Sequence, residues 1–533
     1  MACFRNPESE CLMTLGPIHS MASGMVVVDG ENLTIRDLFE TAEGRTDVEL
    51  SDSARIRMER SRENLERMIG EGRRLYGINT GFGRLQDTDI RREDMISLQK
   101  NLIRSHSSNV GRALSERHTR AMMLVRANTL CKGFSGVRPA IVESIISALN
   151  RRLHPYVPAL GSVGASGDLS PLAHVALSLI GEGKVITENG VEDSAEVLRR
   201  EGLPKLDLLE KEGVAFINGT STITGILGYE LYRSFRLLNA AMVSFIFSFL
   251  SLRGNPVAFT DWAVSTRPHE GQRKIARLIN ETLGKIGYRP ANLQDPYSLR
   301  CTPQVFGAVL DTFNYVRSVV EVEMNSVTDN PIVGEDDVIS SGNFHGEPVA
   351  LASDFLAIAL TDLGNLIERR VARLVDPGLS GLPAFLTEHH GIQSGYMIPQ
   401  YTAAALCNYN KILSHPASSD SIPTSANQED HVSMGTNSAI KLSQIVDNLY
   451  DIVSIELLLS VQALDLSGIK PPESLQGFYS SFRKYVKKLE DDRPPYEDLQ
   501  RIREQLLYGE LGQLCDSLFM LNNTEVKDKA GSR

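Results

Sequence analysis

The sequence predicts a mainly α protein, a bundle of long helices preceded by a smaller loop-rich N-terminal region. Three observations carry that expectation. Apolar residues recur at helical spacing through four long segments, Ser221 to Leu252, Pro303 to Val327, Val349 to Val375 and Ser438 to Leu466. Strand-like alternation is confined to a few short pieces. The long helices also carry wide apolar faces in a soluble chain, which favours a homo-oligomer with a shared core.

Taken in order, residues 1–25 read as a loose extension with no signal-peptide pattern. Residues 26–215 form the expected N-terminal domain. It opens on the apolar run "GMVVVDG" and a charged helical segment started by the capping-type residues Ser51 and Asp52. The Gly-rich "YGINTGFGRL" follows, then helices joined by brief loops. Residues 216–470 form the central bundle. Within it Leu442, Ile445, Val446, Leu449, Ile452, Val453 and Leu457 make one apolar stripe, a helix built to pack. In "ALASDFLAIALTDLGNLIERRVARLV", Ala350, Ala352, Ala357 and Ala359 fall in a stretch almost without a polar face before Glu368-Arg369-Arg370. That helix belongs inside a bundle or between subunits. Residues 471–533 form a C-terminal helical region. The candidate membrane span, Leu237 to Leu252, is shorter than the ~20 residues a bilayer needs, so a buried core helix and no membrane partner are expected.

At 533 residues the chain is long enough for two to four domains or one large shared core. Hydrophobic residues at 42% and charged residues at 23% exclude disordered and fibrous classes. A net charge of −11 without a long basic run gives nucleic acid no electrostatic footprint. The six cysteines, Cys3, Cys11, Cys131, Cys301, Cys407 and Cys515, show no CxxC pairing. That argues against a disulfide framework or a structural zinc site and for a reducing, cytoplasmic setting. No metal is expected.

The unusual residues fall in loops: Tyr76 to Gly83, Gly161 to Gly167, Gln294 to Cys301, Ser340 to Pro348 and Ser414 to His431. In "GSVGASGDLSPLAH", Ala165, Ser166 and Gly167 are small enough for the Gly167 amide nitrogen to reach the Ala165 carbonyl carbon and close a five-membered ring. Loss of water from the ring and from Ser166 then gives a methylidene-imidazolone, an electrophile that no unmodified side chain supplies. The bland alternative is a Gly-rich turn before a helix, and on a bare tripeptide it wins. Asp168 has two readings, an electrostatic aid to cyclisation or a charge at a helix N-terminus.

The wider context resembles the aromatic amino acid ammonia-lyases and aminomutases. That segment and six others follow the family's order: "YGINTGFG", "LQKNLIRSH", "INGTS", "QDPYSLRC", "SGNFHGEP" and "TSANQEDHVSMG". The resemblance runs from about Val26 through Leu466. It implies a mostly helical homotetramer with long parallel bundles and active sites drawing loops from three subunits. It also implies the prosthetic group 4-methylidene-imidazole-5-one (MIO), formed autocatalytically from Ala165, Ser166 and Gly167.

Ammonia elimination needs an electrophile, a base for the β-proton and a clamp for the substrate carboxylate. By the resemblance, Tyr76, in a lid loop, is the base, acting as its phenolate. Arg300 grips the carboxylate with its planar fork, and Tyr297 lies near the ring and leaving amine. Asn218 and Gln294 hydrogen-bond the ring or substrate, and Phe344 packs nearby. Each also has an ordinary reading as a core tyrosine, a surface ion pair or a satisfied polar group. Ser105-His106 is similar to the selectivity pair of histidine-acting members, and Glu429 can hold an imidazole, whereas a phenyl ring would leave this polar pair unsatisfied. The expected reaction is therefore L-histidine to urocanate and ammonia. A phenylalanine or tyrosine lyase or an aromatic 2,3-aminomutase is the runner-up, and a silent helical scaffold the remaining alternative. Tyr409, Asn109 and the missing glutamine after "INGTS" depart from common family patterns.

Overall fold

The computed structural model describes residues 24–389 and 391–521. The loose extension expected over residues 1–25 lies almost wholly outside that range, as does the end of the C-terminal region from residue 522. Eight helices position the site: α1 (Met95–His106), α2 (Glu116–Leu130), α3 (Leu169–Leu179), α4 (Ser221–Ser251), α5 (Thr302–Glu323), α6 (Glu347–Val375), α7 (Met397–Leu413) and α8 (Gly435–Ser467). The four long helices read from periodicity are α4, α5, α6 and α8, with ends within a few residues of the expected ones.

The core is the α4, α6 and α8 layer, flanked by α2, α5 and α7. Every residue of the Leu442-to-Leu457 stripe is fully buried. The sixteen-residue apolar run proposed as a core helix is the second half of α4, a 31-residue helix whose most apolar stretch is 94% buried inside the chain. Helix α6 is different. Leu351, Phe355 and Ile358 stay exposed along its outer face, beside Tyr315 of α5. The expectation that α6 lies inside a bundle or between subunits therefore holds on one face and leaves the other unpartnered.

Sheet structure is slight. Met25–Val28 pairs in parallel with Asp47–Leu50, Val110–Ala113 pairs with Pro158–Leu160, and Lys184–Thr187 joins His154–Pro155 to Gly190–Asp193. Ser51 caps the Asp52–Gly70 helix as read, its hydroxyl accepting from the Ala54 amide.

A fully buried ion pair joins α6 to α8. Arg370 of α6 donates from Nη2 to Glu456 Oε2 of α8 at 2.9 Å, and both side chains are fully buried. Ser244 and Ser248 of α4 donate to the same carboxylate at 2.6 and 2.8 Å. Removing one partner leaves an uncompensated charge, so Glu456→Gln is expected to cost about 3–5 kcal/mol. A marked drop in thermal midpoint, larger than for Glu456→Gln combined with Arg370→Met, checks this.

Candidate active site

The Ala165-Ser166-Gly167 turn is pinned against the start of α4. Gly167 has φ +73°, and a Cβ there would lie 2.3 Å from the Gly219 backbone, so only glycine fits. The Asp168 amide donates to the Gly219 carbonyl at 2.7 Å, and Asn218 Nδ2 donates to the Ser166 carbonyl at 3.2 Å. Behind them Arg126 of α2, fully buried, donates from Nη1 to the Asn218 carbonyl at 2.9 Å and from Nη2 to that of Ala215. Gly167 therefore serves close packing of backbone on backbone.

Asp168 resolves between its two readings in part. Its side chain makes no capping hydrogen bond to its own helix, α3. Instead the carboxylate accepts from the amides of Thr222 and Ile223, at 2.8 and 2.9 Å, in the first turn of α4. Thr436 Oγ1, in the first turn of α8, donates to it at 2.7 Å. It is a helix N-terminal charge, but on a different helix from the one it precedes in sequence. Burial pushes its carboxyl up to about 7, against the pull of these three hydrogen bonds.

Glu429 closes over the turn. Its Oε1 accepts from Ser166 Oγ at 2.9 Å, and its Oε2 accepts from Thr424 Oγ1 at 2.7 Å. The segment leading to it is strained: Ser425, Ala426 and Asn427 all have φ between +50° and +65°, a conformation costing about 1–3 kcal/mol per non-glycine residue and concentrated at functional sites. Gly83 of the Tyr76 loop packs against Ser425, and the Gly83 amide donates to Tyr76 Oη at 3.0 Å. The base candidate thus lies in a loop seated on the Glu429 segment.

His106 ends α1. Its Nδ1 lies 2.9 Å from the Leu102 carbonyl. A carbonyl only accepts, so Nδ1 carries the proton and Nε2 is left as an acceptor. Burial lowers the pKa of His106, opposed by the Leu102 carbonyl and the Glu429 charge, so the neutral ring is favoured. Phe344 is half-buried in the loop entering α6, where Gly346 packs against Thr220, Ile223 and Ser433.

Gln294, Tyr297 and Arg300 are not brought to this place. Their segment is fixed beyond the other end of α4: the Asn255 amide donates to Asp295 Oδ2 at 2.6 Å, and the Ala291 amide donates to the Arg253 carbonyl at 2.9 Å. A 31-residue helix is about 45 Å long, and the triad sits at its first turn. Gln294 and Tyr297 are exposed. Arg300 donates from Nε to the Asp295 carbonyl at 2.8 Å and lies 4.7 Å from the centre of the Tyr297 ring. It makes no salt bridge among the described residues.

Sequence reasoning gave Gly219 of "INGTS" no role and passed over Arg126 and Thr436, which lie on helices distant in sequence and outside the quoted motifs and hold Asn218 and Asp168 beside the triad. Of the departures, Asn109 is buried and donates to the Pro158 carbonyl at 2.8 Å, joining two strands. Tyr409 is 43% exposed on α7.

The aromatic amino acid lyase model matches residues 33–484. A probable histidine ammonia-lyase of Thermoplasma volcanium is 50% identical over 491 residues, spanning 91% of this chain and 99% of the relative. Among solved structures, the histidine ammonia-lyase of Trypanosoma cruzi superposes with a TM-score of 0.88 at 38% identity, covering 95% of this chain and all of that one. The tyrosine aminomutase of Streptomyces globisporus has the same TM-score at 34% identity, with 95% and 100% covered. The match spans most of the chain and nearly the whole of each relative, and the chain belongs to the aromatic amino acid lyase family.

Proposed function

We propose that the protein eliminates ammonia from L-histidine to give urocanate, as a homotetramer whose active sites are shared between subunits. The single observation that carries the shared site is the separation of Arg300, Tyr297 and Gln294 from Ser166 by about the length of α4. One chain cannot place the carboxylate clamp beside the triad, so a second copy supplies it. The unpartnered outer face of α6 offers apolar surface for that association.

The residues present fit the methylidene-imidazolone. Gly167 leaves no space for a side chain, and the backbone on either side of Ser166 is held by Asn218 and Gly219. Once formed, that group supplies the electrophile that ammonia elimination requires. Dehydration removes Ser166 Oγ, the donor now bound to Glu429 Oε1, while Oε2 stays engaged by Thr424. Oε1 is then free to accept an imidazole N–H. His106 presents Nε2 as a second acceptor, so the pair reads a ring bearing N–H groups and leaves a phenyl ring unmatched. Tyr76 takes the β-proton, and Arg300 of another subunit holds the carboxylate bidentately. Free cysteines at 131, 301, 407 and 515 agree with a reducing, cytoplasmic setting.

Ultraviolet absorbance tests this directly. Histidine should yield urocanate. Cinnamate from phenylalanine, coumarate from tyrosine, or a β-amino acid as the main product would favour the runner-up; no product from any of them would leave the scaffold. His106→Leu should lower kcat/KM for histidine by about 10²-fold while changing phenylalanine turnover far less. Equal losses would remove His106 from ring recognition.

A further inference from the structure

Beyond the residues assigned above, His345, Glu347 and His431 place their ligand atoms within 4.8 Å of one another. His345 and Glu347 flank Gly346 where the chain enters α6, and His431 arrives from the loop ahead of α8. The two imidazoles stack with centres 5.3 Å apart, and His431 Nδ1 lies 3.2 Å from His345 Nε2. Two nitrogens held tetrahedrally by one zinc ion, each at about 2.0–2.1 Å, are separated by about 3.3–3.4 Å. The pair already stands at ligand spacing. Glu347 Oε2 is an independent sign, a buried carboxylate oxygen with no hydrogen-bond partner among the described residues. Such an orphan calls for a partner that the chain itself does not provide.

We propose that His345, Glu347 and His431 form a binding site for a divalent cation of the zinc class, with a fourth position open. Two imidazoles and one carboxylate suit Zn²⁺, Co²⁺ or Ni²⁺, whereas Mg²⁺ and Ca²⁺ take all-oxygen sets. Without the ion, the Glu347 amide donates to His345 Nδ1 at 3.3 Å. The His345 proton then sits on Nε2 and bridges to His431 Nδ1. On binding, the cation takes the place of that proton between the rings. The proton moves to His345 Nδ1, and the long contact from the Glu347 amide is given up. His345 follows Phe344, and His431 follows Glu429 by two residues. The ion thus ties together two loops at the rim of the active site.

The test is a Co²⁺ titration of the full-length protein after chelator treatment, followed in the visible range. The expected result is one Co²⁺ per chain with the intense band of four-coordinate nitrogen and oxygen ligation, displaced by Zn²⁺. His431→Gln, at an exposed position, should weaken binding by at least about tenfold without lowering the thermal midpoint of the metal-free protein. Glu347→Gln should weaken it too. A thiolate charge-transfer band, binding unchanged in both variants, or no saturable binding would each overturn the proposal.

Discussion

Ser166→Ala is expected to abolish ammonia release while the oligomer persists. The hydrogen bond from Ser166 Oγ to Glu429 belongs to the linear chain and is given up on dehydration, so Ser166→Ala takes no such contact from the mature core and the fold should persist. The chemical loss is of another order. Without a hydroxyl to eliminate, the chain has no electrophile, and turnover should fall by about 10³-fold or more, as when a covalent catalyst is deleted. Activity assay beside a thermal melt separates the two effects. Retained turnover in a folded variant would remove Ser166 from the chemistry.

The second large effect comes from combining two dead variants. Ser166→Ala and Arg300→Ala should each be inactive alone, because one lacks the electrophile and the other the carboxylate clamp. If each active site takes Ser166 from one chain and Arg300 from another, co-expression yields mixed oligomers in which some sites hold both wild-type residues. Random assembly gives about a quarter of sites that composition. Recovery of activity toward that fraction is expected. If the two residues served one site within a single chain, no mixed site would recover, and the shared-site account would fail. The test turns on the distance set by α4, so it reads the fold as well as the chemistry.

The helices were legible because their signal is local. The Leu442-to-Leu457 stripe is a three-and-four-residue pattern, and burial of every member follows from the α8 surface meeting α4 and α6. The Ser51 cap was legible for the same reason. Asp168 shows where local reasoning stops. An acid ahead of a helix is read as that helix's cap, yet this one is claimed by α4 and α8, whose first turns converge on it from 54 and 268 residues away. Arg126 was invisible, since a buried arginine behind Asn218 has no spacing that announces it. His345, Glu347 and His431 converge in the same way, from two loops that sequence order keeps 86 residues apart.

Resemblance supplied the site residues, and geometry then divided them. Tyr76, His106, Ser166, Asn218, Phe344 and Glu429 belong to loops gathered around the start of α4, whereas Gln294, Tyr297 and Arg300 belong to the far end. Sequence order gives no hint of this division, because residue 294 follows residue 218 by a span that one helix and its neighbours consume. Glu429 gained a partner in the same way. Read only as an imidazole acceptor, it holds the Ser166 hydroxyl in the linear chain.

Ala165, Ser166 and Gly167 are expected not to remain a linear tripeptide in the mature protein. Intact mass of the purified, active chain measures this without reference to substrate. The expected chain is lighter than its sequence by two waters, with Ser166→Ala lacking the loss that requires the serine hydroxyl. A wild-type chain that eliminates ammonia at its full, unshifted sequence mass would contradict it.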